Sequence, residues 1–344
     1  MSIKTKTILN NYILLLLRDS SLTESQKYTY GTGTSKESLS IEDLRPSRSS
    51  DSKSGEHSMV KDTPQPPGTE DSFFYRNGAQ AANLNAFRCE SRARDCVAGR
   101  PLLFEGKPQL AQLVPGRDWS QNQPAARTRS LTPRERRSVG EYWLRTARLE
   151  HASVASFHQF SLDLLRFGAP PELLIRANKA AKDEIEHAQA AFALAESYLK
   201  FPLQPSAWEL KCKPVNTWAD FAESIAREAA INETLAVIMA SVQLQRATDP
   251  AVRLLLIRII NEESEHAELA WDTLRWCLRE GGPEVKERLK IVFSEQHIPS
   301  ASEFPLEPIY GHGLPSEPQM LAMLIQGYEQ VVQAAAQHVL FRAA

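Results

Sequence analysis

Two short segments constrain this chain more than any other feature: Asp183-Glu184-Ile185-Glu186-His187 and Glu262-Glu263-Ser264-Glu265-His266, seventy-nine positions apart (266 minus 187). Each contains Glu-x-x-His. On a helix, residues three apart share a face, so a carboxylate and an imidazole point the same way. That is a metal-ligand pair, supplied twice.

The surrounding chain supplies the helices. Thr132-Pro133-Arg134-Glu135 is a capping box with proline at the first helical position, and the helix it opens is expected to run to Gly168 before Pro170-Pro171. A second helix fits Pro171 to Lys200 and ends at Pro202. Thr217 caps a third that runs to Ala247, and Asp249-Pro250 opens a fourth that ends at Gly281-Gly282. Four helices of about thirty residues each predict an all-α fold, a four-helix bundle over 132–282.

Tracing each helix at steps of three and four gives the stripe a bundle would bury. The first reads Trp143, Ala147, Glu150, Val154, Phe157, Ser161, Leu164. The second reads Leu173, Ala177, Ala180, Glu184, His187, Ala191, Leu194, Tyr198. The third reads Ala222, Ala226, Ala229, Glu233, Val237, Ala240, Leu244, and the fourth Val252, Leu256, Ile259, Glu263, His266, Ala270, Thr273, Cys277. Four carboxylates thus fall on core stripes. Burying one unpaired carboxylate costs several kcal/mol against a domain stability of roughly 5 to 15 kcal/mol, so four demand cations. Two divalent metals would cancel them.

Glu150 and Glu233 are then single donors, with Glu184/His187 and Glu263/His266 as paired ones. This is the general plan of di-metal carboxylate bundles. Oxygen donors with one imidazole per metal suit iron, or manganese, better than a thiolate-seeking ion. Asp183 and Glu262, four residues before the histidines, are alternative ligands to Glu184 and Glu263. His151 and His158 lie off the stripe, as surface or supporting residues. Glu186, Glu228, Glu265 and Glu268 read as solvated charges, one of which could shift onto the metals. Trp271 and Phe192 read as packing, and Tyr198 is too far along its helix to touch the metals.

Over Thr132 to Gly282 the chain resembles the ferritin-like di-iron carboxylate superfamily. Glu150-His-Ala-Ser-Val-Ala-Ser-Phe157, Gly168-Ala-Pro-Pro-Glu-Leu-Leu174, Asp183-Glu-Ile-Glu-His-Ala188, Thr248-Asp-Pro-Ala-Val-Arg253 and Glu265-His-Ala-Glu-Leu-Ala-Trp271 are similar to a group of bacterial ferritin-like domain proteins of uncharacterised activity. The resemblance implies a two-iron (or two-manganese) oxidoreductase acting through Glu150, Glu184, His187, Glu233, Glu263 and His266. Its oxidant would be dioxygen or peroxide, with a small-molecule substrate or electron donor. Iron handling with ferroxidase turnover is the alternative within the superfamily, and a metal-free structural or partner-binding bundle the alternative outside it. Rubrerythrin-type function would bring paired Cys-x-x-Cys motifs, and the four cysteines, Cys89, Cys96, Cys212 and Cys277, form none. The long segment before the bundle argues against a storage cage.

Outside the bundle, residues 1–90 are rich in Ser, Thr, Gly, Pro and charge and read as a disordered arm. Residues 91–131 read as a strap with a small hairpin around Glu105-Gly106-Lys107-Pro108. Residues 283–344 form a helical extension: a short helix over Pro283 to Phe293, a loop over His297 to Ser316, and a last helix over Glu317 to Phe341. Met320, Leu321, Leu324, Tyr328, Val331, Ala335 and Val339 lie on one side of that helix, which would lie across the bundle or form a homodimer contact. The formal net charge of -2 and the lack of a basic stripe give no support for nucleic-acid binding. No apolar run approaches the roughly 18 to 20 residues of a membrane helix, and the Tyr12–Leu17 run stops at Arg18 without a signal-peptide cleavage site, so the cytoplasm is the expected compartment.

Overall fold

The computed structural model describes residues 99–212, 214–295 and 301–342, so the expected arm over 1–90, Cys89 and Cys96 lie outside the described residues. The fold is mostly helical. Helix α1 is Pro133–Arg166, α2 is Pro171–Leu199, α3 spans 218–246, α4 is Pro250–Glu280, α5 is Pro283–Ser294 and α6 spans 317–342. Helices α1 and α2 form one long antiparallel pair and α3 and α4 the other, with α2 against α4 joining the two.

Local chemistry sets the helix ends. The Glu135 N–H donates to Thr132 Oγ1 at 3.3 Å while the Thr132 N–H donates to Glu135 Oε2 at 2.8 Å, closing the capping box that starts α1. Gly168 ends that helix with φ at +71°, and the Ala169 N–H donates back to the Leu164 carbonyl at 2.9 Å. Thr217 caps α3 through the Asp220 N–H, and Asp249 caps α4 through the Ala251 and Val252 N–H groups.

The predicted stripes face inward. All of their residues are buried except Val154, which is half-buried. Helix α3 departs from regular geometry: between Trp218–Ser224 and Asn232–Arg246 lies a π-helical stretch, Ile225–Ile231, immediately before Glu233.

The strap is built as two small sheets. Strands β1 (Leu103–Phe104) and β2 (Lys107–Pro108) pair across Glu105 and Gly106, both at positive φ as a tight two-residue hairpin turn requires. Strand β3 (Leu113–Pro115) pairs antiparallel with β4 (Leu203–Pro205), which follows α2; this pairing has no counterpart in the sequence reading. Helix α6 lies across the bundle, with Gly327 against Ile238 of α3. Of its expected stripe, Met320, Leu324, Tyr328, Val331, Ala335 and Val339 are buried and Leu321 is half-buried. No described helix is long and apolar enough to cross a membrane.

Candidate metal centre

Each bundle helix brings its ligand candidates to one point. Glu150 comes from α1, Glu184 and His187 from α2, Glu233 from α3, and Glu263 and His266 from α4, and all six are buried. Their ligand atoms fall into two quartets, each within 4.8 Å: Glu150, Glu184, His187 and Glu263 in one, Glu184, Glu233, Glu263 and His266 in the other. Glu184 and Glu263 belong to both.

The shared carboxylates divide their oxygens between the two positions. His187 Nδ1 lies 3.7 Å from Glu184 Oε2 and 3.5 Å from Glu263 Oε1, whereas His266 Nδ1 lies 3.4 Å from Glu184 Oε1 and 3.1 Å from Glu263 Oε2. Each imidazole therefore turns Nδ1 into the cluster and Nε2 outward.

The outward nitrogens are held crosswise. His187 Nε2 on α2 lies 2.7 Å from Glu262 Oε2 on α4, and His266 Nε2 on α4 lies 3.3 Å from Asp183 Oδ2 on α2. A carboxylate on Nε2 fixes the hydrogen there and leaves the Nδ1 lone pair for a metal. Asp183 and Glu262 thus sit behind the opposite histidine rather than taking the places of Glu184 and Glu263, which corrects the alternative drawn from sequence. Lys179 Nζ donates to the same Asp183 Oδ2 at 2.7 Å.

The cluster is poorly satisfied by protein alone. Glu150 Oε2, both oxygens of Glu184, both oxygens of Glu233 and His187 Nδ1 are buried without a hydrogen-bond partner among the described residues. Such groups carry a desolvation penalty that a bound cation would offset. Burial, and then the facing Glu184 and Glu263 carboxylates respectively, push Glu150 and Glu233 well above the usual carboxylate range. Burial disfavours charge on His187 and His266, yet the carboxylates around them win and raise both. Glu263 moves the other way: burial opposes its ionisation, but His266 and His187 hold it ionised. These shifts favour protons on Glu150, Glu233, His187 and His266. The donor set fits a pair of divalent ions that would replace those protons.

Several neighbours escaped sequence reasoning. Arg100 of the strap is buried, with its guanidinium 4.4 Å from the Phe160 ring centroid and 5.4 Å from that of Phe157. Burial lowers its pKa, opposed by Glu228, Glu233, Asp163 and Glu184. Phe157 in turn meets His266 edge-on, with ring centroids 5.0 Å apart. Glu228, in the π-helical stretch, is half-buried and raised chiefly by burial, so it is not the solvated charge expected. His151 packs between Trp119 and Trp208 at 4.8 and 5.3 Å, and burial pulls it down to about 4. His158 is exposed, as read from its position. Glu186 pairs with Lys182, and Glu265 with Lys179. Trp271 and Phe192 are packing residues, and Tyr198 bonds His312 at 2.9 Å.

The chain matches no family model, no curated protein and no solved structure. Comparison thus adds no family to the chain: a helical bundle with a buried carboxylate and histidine cluster, able to hold metal ions.

Proposed function

We propose that this chain is a di-metal carboxylate protein of the ferritin-like kind, binding two iron or two manganese ions, and an oxidoreductase using dioxygen or peroxide. The observation that carries this reading is the pair of quartets sharing Glu184 and Glu263, with buried carboxylate oxygens that have no hydrogen-bond partner among the described residues. A structural bundle has no use for such atoms, since apolar residues in their place would cost less.

In this reading Glu184 and Glu263 would contribute to holding both ions, Glu150 and His187 to one, and Glu233 and His266 to the other. Bound there, a redox-active metal pair supplies oxidising power toward a substrate, with dioxygen or peroxide as oxidant. The chain's own residues do the rest. Glu262 and Asp183 hold the imidazoles in the ligating orientation, each through a hydrogen bond to Nε2. Phe157, buried against His266, keeps water from that side. Alanines on the stripes, among them Ala180, Ala191 and Ala229, leave the axis uncrowded.

The test is anaerobic ferrous loading followed by exposure to dioxygen. The expected result is an oxygen-dependent change in the absorption spectrum that is absent from Glu184→Ala. An unchanged spectrum in the iron-loaded wild type would overturn the oxidoreductase reading.

A further inference from the structure

We infer that the two metal positions are unequal, and that Glu262 and Lys179 make them so by acting through the histidines. The inference rests on the di-metal reading above. Neither residue reaches the cluster itself.

The two outer carboxylates meet different surroundings. Glu262 Oε2 approaches His187 Nε2 at 2.7 Å, and among the described residues no lysine or arginine lies within ion-pair distance of Glu262. Lys182 acts on it only from beyond ion-pair distance, so its nearest positive partner is the imidazole, which makes Nδ1 of His187 the stronger donor. Asp183 is shared. Its Oδ2 accepts from Lys179 Nζ at 2.7 Å and faces His266 Nε2 at the longer distance of 3.3 Å, while Lys179 also reaches Glu265 Oε2 at 3.0 Å. An ammonium on the accepting oxygen withdraws charge from the Asp183–His266 bond, and a fixed positive charge near a cation site disfavours the cation. His266 is then the weaker donor.

Two opposite effects of Lys179 are conceivable, and the geometry separates them. As a clamp it would fix Asp183 and strengthen the site. The lysine is half-exposed, with side-chain exposure of 51%, and such pairs hold geometry weakly. Asp183 is also buried at 6% side-chain exposure, so packing already fixes it. The electrostatic effect therefore decides the sign. The position of Glu150 and His187 binds metal more tightly, and that of Glu233 and His266 less tightly.

Calorimetric titration of the metal-free full chain with manganese(II) alone reads this directly. Two binding steps are expected, the tighter abolished by Glu150→Ala and the weaker by Glu233→Ala. Glu262→Gln should weaken the tighter step roughly 10- to 100-fold and leave the other in place. Lys179→Met keeps the aliphatic stem and removes the charge, and should tighten the weaker step by up to roughly tenfold. Lys179→Arg should retain the wild-type value. A purely structural lysine would give the reverse for Lys179→Met, with weaker binding and a lower melting temperature. That result, an unchanged weaker step, or two equal steps in the wild type would overturn the inequality while leaving a di-metal site standing. No uptake by the wild type of manganese(II), nor of ferrous iron in the same titration run anaerobically, would overturn the di-metal reading and the inference with it.

Discussion

Glu184 and Glu263, on different halves of the bundle, each turn one oxygen toward His187 and the other toward His266. Glu150 and Glu233 each belong to one quartet alone. Equilibrium dialysis against manganese(II) should therefore separate the four glutamates: Glu184→Ala or Glu263→Ala loses both ions, whereas Glu150→Ala or Glu233→Ala keeps one. Equal loss in all four would contradict the shared-carboxylate geometry.

Asp249 joins the strap to the start of α4. Its Oδ1 accepts from the Ala251 and Val252 N–H groups at the start of α4, and its Oδ2 accepts from the Arg127 N–H of the strap at 2.7 Å. Asp249→Ala removes a buried cap and a strap contact together and should cost about 2 kcal/mol, against about 1 kcal/mol for Thr132→Ala in the exposed capping box of α1. Urea unfolding of the two variants compares them. A smaller loss for Asp249→Ala would show that the strap does not depend on this residue.

The sequence carried most of the bundle because its elements are local. Thr132, Thr217 and Asp249 cap the helices they were read to cap, and the stripes at steps of three and four carry all six ligand candidates inward. Other features depend on which helix lies beside which. That Glu262 serves His187 and Asp183 serves His266 follows from the crosswise packing of α2 and α4, on which local spacing is silent. Arg100 reaches Phe157 from far along the chain, and β3 meets β4 across the whole of α1 and α2. The π-helical stretch Ile225–Ile231 has an ordinary helical composition, and its register shift is a property of the packed core around Glu233.

Gly327 of α6 sits so close to α3 that a Cβ placed there would lie 2.5 Å from Ile238 Cδ1. Ile238 is fully buried and has little room to move. Gly327→Ala gains roughly 1 kcal/mol of helix propensity but overpacks a site where such insertions cost about 1 to 3 kcal/mol. A net loss of stability is expected, read as a melting temperature lowered by a few degrees. A rise would mean that α6 can shift freely on the bundle.

Cys277, buried on α4, has its thiol pushed up to about 12 because burial disfavours the thiolate. Cys212 is exposed. At pH 8 iodoacetamide should label Cys212 readily and Cys277 only after denaturant is added, as peptide mass mapping would show. An unfolded chain ionises the Cys277 thiol near its ordinary value, lower than the folded chain does. Its contribution to stability is thus intact below the ordinary thiol range and is lost as pH rises toward 12. Labelling of Cys277 in the folded protein at pH 8 would contradict this burial.

Metal content per chain tests the central claim most directly. Protein treated with a chelator, loaded anaerobically with ferrous iron, freed of excess and submitted to elemental analysis should hold two irons per chain, and Glu184→Ala none. Wild-type protein that retains no iron after this loading, and no manganese when manganese(II) replaces ferrous iron, would contradict the account.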